Sequence, residues 1–109
     1  MAKQIDFIRR FERQAESGRN VLFAAPTDGY AMYWIKELFD YLHENSHEDH
    51  KPYLNRSRMT IEYRGATCYF KVFNYNGDFE RINGLNLHDW FDPGTLPLLC
   101  REQIRTRIR

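Results

Sequence analysis

The chain has 109 residues, 16 Lys and Arg against 15 Asp and Glu, and a formal net charge of +1. That length fits one domain with a single core, and the near balance of charge excludes a strongly polyionic protein. Seven Tyr, eight Phe and two Trp supply enough apolar volume to exclude a disordered chain. No apolar stretch approaches the roughly 20 residues of a membrane span, and the opening "MAKQIDFIRRFERQ" lacks the apolar region of a signal peptide. No membrane association and a cytoplasmic location are therefore expected. Cys68 and Cys100 lack metal-type spacing and read as small buried thiols.

From Lys3 to Ser17, Ile5, Ile8, Phe11 and Ala15 recur every three or four residues, predicting an amphipathic helix stopped by Gly18. Val21 to Ala25, closed by Pro26, reads as a strand buried on both faces of an α/β sheet. Thr27 or Asp28 then caps a helix whose wide apolar face holds Tyr30, Trp34, Ile35, Leu38, Phe39 and Leu42. "HENSHEDHKPYLNRS" loses all periodicity and is expected to be an exposed linker.

Alternation of Met59, Ile61 and Tyr63, a turn at Arg64-Gly65, and alternation of Cys68, Phe70 and Val72 predict a two-stranded hairpin. A Gly- and Asn-rich turn leads to a short strand over Leu85 to Phe91, and Thr95 caps a last helix from Leu96 to about Ile108, with Pro97 in its first turn. The expected architecture is α/β or α+β, a sheet of about four strands with helices packed on it.

"NVLFAAPTDGY" has the strand, turn and helix order of a phosphate-binding site but only one glycine and no Gly-Lys-Ser/Thr. Asp28 is expected to occupy the free N–H groups of the helix start itself, so the stretch reads as architecture without a nucleotide, and no cofactor is expected.

"GRNVLFAAPTDGYAMYWIKELFDYL", "RMTIEYRGATCYFKVFN" and "ERINGLNLHDWFDPGTLPLLCREQIRTRIR" together resemble the ATPase region of phage terminase large subunits and related helicase-like P-loop proteins. The resemblance runs from Gly18 to Arg109. It sets Ala25-Pro26-Thr27 at the strand-end motif, Arg81 to Gly84 at the basic-Gly element, and Asp92 at the Walker B aspartate. Pro93 stands where the catalytic glutamate belongs, and the helical stretch from Met1 to Arg19 holds no Walker A loop. The resemblance thus implies a degenerate, phage-encoded P-loop-like domain without ATPase activity.

Three further patterns bear on function. His43, His47 and His50 would share one side of a helix continued through Asp49, with Glu44 near by, as a metal site requires; a fraying helix end explains them without metal. His88, Asp89 and Asp92 would suit metal-assisted hydrolysis, although a turn and cap explain Asp92-Pro93-Gly94 more cheaply. Lys3, Arg9, Arg10, Arg13 and Arg19 load the first helix and Arg101, Arg105, Arg107 and Arg109 the last; lying together, the two would present one basic face to nucleic acid.

Tyr69, Phe73, Tyr75 and Phe79 would serve base stacking or protein docking if they point outward, and core packing if a helix covers them. No complete catalytic motif is present. The expectation is a non-enzymatic protein that docks to a protein partner such as a host or defence enzyme, with nucleic-acid binding as the alternative and metal-dependent hydrolysis behind it.

Overall fold

The structure is a computed structural model and describes residues 2–73, 85–91, 98–106 and 108, with side chains described from Phe7 onward in the first helix and from Arg101 in the last. Helix α1 (Ala2–Glu16) leads to strand β1 (Asn20–Ala25) and helix α2 (Asp28–Asn45). A short 3-10 turn (Glu48–His50) precedes strands β2 (Tyr53–Asn55), β3 (Thr60–Tyr63) and β4 (Ala66–Val72); β5 (Leu87–Phe91) and helix α3 (Leu98–Arg105) follow. The fold is α/β, a mixed five-stranded sheet in the order β2-β3-β4-β1-β5. Strand β1 runs parallel to both neighbours, β4 and β5, while β2, β3 and β4 form an antiparallel meander.

Several of these boundaries have a local chemical cause. Gly18, at φ 67°, ends α1: its N–H reaches Ala15 O at 2.9 Å and the Arg19 N–H reaches Gln14 O at 2.9 Å. This is a Schellman cap, which needs a left-handed residue at that position. The β3–β4 hairpin turns on Arg64 and Gly65, both at positive φ (54° and 86°), with Tyr63 paired to Ala66. Two left-handed residues in a two-residue loop match the right-handed twist of the strands. Asn20 fixes the amino ends of the parallel strands: its Oδ1 accepts the Thr67 N–H at 2.9 Å and its Nδ2 donates to Asn86 O at 3.2 Å.

Alternation along β1 divides the interior. Val21, Phe23 and Ala25 face α1 and α2, where Phe7, Phe11, Trp34, Leu38 and Phe70 complete the larger cluster. Phe7 is its hub, with ring centroids 4.8 Å from Phe23, 4.9 Å from Phe91, 5.6 Å from Trp34 and 6.2 Å from Phe70. Leu22 and Ala24 face the opposite way and meet Phe73, Leu87 and Ile104 of α3.

Several expectations change. The sheet has five strands rather than about four, because Tyr53–Asn55, inside the expected linker, pairs with β3 through Tyr53/Glu62, Leu54/Ile61 and Asn55/Thr60. That segment is also tied to α2, since Lys51 Nζ donates to His43 O at 2.8 Å and Ser46 O at 3.2 Å. Thr27 rather than Asp28 caps α2; its Oγ1 accepts the Tyr30 N–H at 3.1 Å. Strand β5 also carries a bulge, His88 being the extra residue between the Asn20/Leu87 and Val21/Asp89 pairs. The cap at Thr95, Pro97, and the motifs at Arg81 to Gly84 and Asp92-Pro93 lie outside the described residues.

Candidate functional site

The arginines expected to form one basic face are divided by the sheet. Arg9 and Arg13 are exposed on α1, over the larger cluster, while Arg101 and Arg105 belong to α3 on the opposite face. Arg10 is committed locally, with Nη2 2.6 Å from Asp89 Oδ1 and 3.3 Å from Trp90 O. The expectation that the terminal helices lie together is therefore corrected: alternate β1 side chains point to opposite sides, and each helix covers one side.

Helix α2 stops at Asn45, and Ser46 and His47 are extended. His43 packs its ring 5.8 Å from Phe39, and His47 and His50 lie beyond the helix, so their spacing no longer defines one helical face. Among the described residues no group of three or more His, Cys, Asp or Glu side chains is placed to hold a metal. Phe73 is 1% exposed and belongs to the core beneath α3, which corrects its candidacy as a docking or stacking residue; Tyr69 is half-buried, packed against that same cluster. Tyr75 and Phe79 lie outside the described residues.

A surface without an assignment in the sequence emerges beside the sheet edge. A groove of about 560 Å³ runs between α2 and β2, with Met32, Tyr33, Ile35 and Phe39 on the helix and Leu54 on the strand. Met32 and Tyr33 are 49% and 50% exposed. Met32, with Ile35 and Phe39, extends the apolar arc of α2 beyond the Ala31, Trp34, Leu38 and Leu42 stripe that the sheet buries, and Tyr33 stands further round the helix. An apolar arc wider than one core can cover was the signal available in the sequence. Among the described residues Lys36, Asp40 and Arg56 are the charged groups of the groove.

β2 borders the groove and ends the sheet, with β3 as its sheet neighbour. Among the described residues no strand pairs with its outer side, and Leu54 projects into the groove while Tyr53, 60% exposed, projects from the other face. The stretch from Lys51 to Met59 holds Lys51, Arg56 and Arg58 and no acid. The turn after β2 is set by Asn55, whose Oδ1 accepts from the Arg58 N–H at 3.1 Å and the Ser57 hydroxyl at 2.9 Å.

Among the described residues no helix is long and apolar enough to cross a membrane. No protein-family model, curated protein or solved structure matches the chain.

Proposed function

We propose that the chain is a non-enzymatic binding protein that docks to a protein partner by taking an extended segment of it onto the β2 edge. One observation carries this reading: half-exposed Met32 and Tyr33 stand beside a sheet edge whose outer backbone groups have no strand partner among the described residues. Strand addition draws affinity from backbone hydrogen bonds and specificity from pockets for alternate side chains, and the α2–β2 groove supplies such a pocket. The order of elements resembling terminase ATPase regions supports a phage-encoded protein acting in its host's cytoplasm.

Charge selects the occupant. A second copy pairing β2 with β2 would bring the basic stretch from Lys51 to Arg58 against itself, which is unfavourable. The fitting partner segment alternates apolar residues, directed into the groove, with acidic ones beside Arg56 and Arg58.

Selection from a displayed library of random peptides tests this directly. The expected winners alternate apolar and acidic residues, protect the β2 amides from hydrogen exchange, and bind about tenfold or more weakly to Met32→Asp and Tyr33→Asp variants. Both positions are exposed, so the variants keep the fold, verified by urea unfolding. Winners that ignore both substitutions, or self-association abolished by them, would replace the proposed occupant.

A further inference from the structure

Hydrogen-bond parity across the meander determines which backbone groups of β2 turn outward. Along an antiparallel strand the N–H and C=O of one residue point to the same neighbour, and successive residues alternate between the two sides. The Phe70 N–H reaches Met59 O at 3.0 Å, spanning the Thr60/Tyr69 pair. Thr60 and Tyr69 therefore exchange no bonds with each other, whereas the next pair, Ile61 and Cys68, does. Thr60 and Glu62 turn their groups to β2, where Asn55 and Tyr53 are their partners. Leu54, opposite Ile61, is left with its N–H and C=O directed to the outer side of the sheet, where no strand lies among the described residues.

This edge is limited at both ends. Pro52, directly before β2, has no N–H to give to a further strand. At the other end the chain leaves β2 for the turn that Asn55 Oδ1 fixes on the Arg58 N–H. Within β2, Leu54 thus supplies both the outward donor and the outward acceptor. Its side chain is half-buried on the groove side with Met32, Ile35 and Phe39, while Tyr53 and Asn55 face the other way.

We propose that Leu54 is the pairing residue of the docking edge, and that the partner segment sets one large apolar residue in register with it, filling the groove. The inference rests on the docking reading above and adds to it the register and the anchor. Cross-strand partners in register project from the same face of a sheet, so the residue beside Leu54 is the one whose side chain enters the groove. Its neighbours lie on the Tyr53 side, outside the groove. A strand with so few free groups, bounded by proline, resists open-ended pairing and accepts a short segment.

Hydrogen exchange of the chain alone tests the parity: the Leu54 amide is expected to exchange faster than those of Tyr53 and Asn55, which bond to β3. Replacing the Leu54 amide by an ester, through incorporation of the α-hydroxy analogue of leucine, removes the N–H and keeps the side chain. It is expected to lower the urea midpoint less than the same replacement at Asn55. Docking is read by fluorescence anisotropy of labelled peptides selected from the displayed library. The Leu54 ester is expected to weaken them about two- to tenfold, and glycine in place of the central apolar residue of the peptide about tenfold or more. The Leu54 amide should also gain the most protection when peptide binds.

A Leu54 amide already protected in the free chain would overturn the parity and the proposal with it. Peptides that require Met32 yet bind the Leu54 ester as tightly as wild type would overturn the register while leaving the docking reading in place. If no selected peptide is weakened by Met32→Asp, both readings fall.

Discussion

Arg10 of α1 and Asp89 of β5 are joined at 2.6 Å, and this contact fastens the first helix to the last strand of the sheet. Asp89 is the more enclosed partner, with its side chain 21% exposed against 44% for Arg10. Its carboxylate also accepts from Gln14 Nε2 at 3.4 Å and from the Trp90 N–H at 2.8 Å. Asp89→Ala therefore strands several donors and is expected to cost about 1–2 kcal/mol, whereas Arg10→Ala removes one largely solvated partner and costs about 0.5–1 kcal/mol. Urea unfolding of the two variants measures the difference; equal costs would contradict the unequal roles.

The helix ends make an opposed pair of predictions. Thr27→Ala deletes the hydroxyl that accepts the Tyr30 N–H and is expected to cost about 1 kcal/mol, while Asp28→Asn has the smaller effect. Gly18→Ala forces a Cβ into a left-handed conformation and is expected to cost about 1 kcal/mol, although nothing lies within 4 Å of the new atom. Thermal or urea unfolding checks both, and α1 should fray first in the Gly18 variant.

Phe7 touches four other aromatic rings from a fully buried position. Phe7→Ala opens a cavity between α1, α2 and the sheet and is expected to cost about 3–5 kcal/mol. Loss of near-ultraviolet circular dichroism, which reports aromatic packing, should accompany it, and Phe7→Leu should be clearly milder.

Burial pushes the Cys68 thiol well above its ordinary range, because the interior disfavours the thiolate. The Tyr41 phenol is also raised, by burial first and then by the charge and hydrogen bond of Glu12. Both groups ionise more readily in the unfolded chain. The stability they contribute is thus complete below the unfolded thiol value of about 8.5 and is lost as pH rises above it. Denaturation from pH 8 to pH 10 should show falling stability, with a shallower fall in Cys68→Ala. In a Cys100→Ser background, Cys68 should react with a thiol reagent only on unfolding.

Elements with a strong local signature were readable from the sequence. The period of Ile8, Phe11 and Ala15 with Gly18 defines α1, and the run from Val21 to Ala25 defines β1. The alternation around Arg64-Gly65 defines the hairpin, because a two-residue loop at positive φ leaves the chain one register. Strand β2 has no such signature: three residues are too few to display a period, and it is extended because β3 offers it hydrogen bonds.

The candidate surfaces were less legible than the fold. Tyr69 and Phe73 look alike in the sequence, either outward or covered by a helix, yet Phe73 fills the core under α3 while Tyr69 opens on a hollow. Met32 carries no mark beyond the width of an apolar arc and Tyr33 not even that, and the groove exists because β2 folds back beside them.

The sequence by itself determined the helices, the parallel core strand and the hairpin, since these follow from periodicity, caps and turn residues within a few positions of each other. Tertiary structure alone decided that α1 and α3 lie on opposite faces, that β2 joins the sheet, and which aromatics stay accessible. Those outcomes depend on pairing and coverage between residues far apart in the chain, and no local pattern encodes which side of a sheet a distant helix will bury.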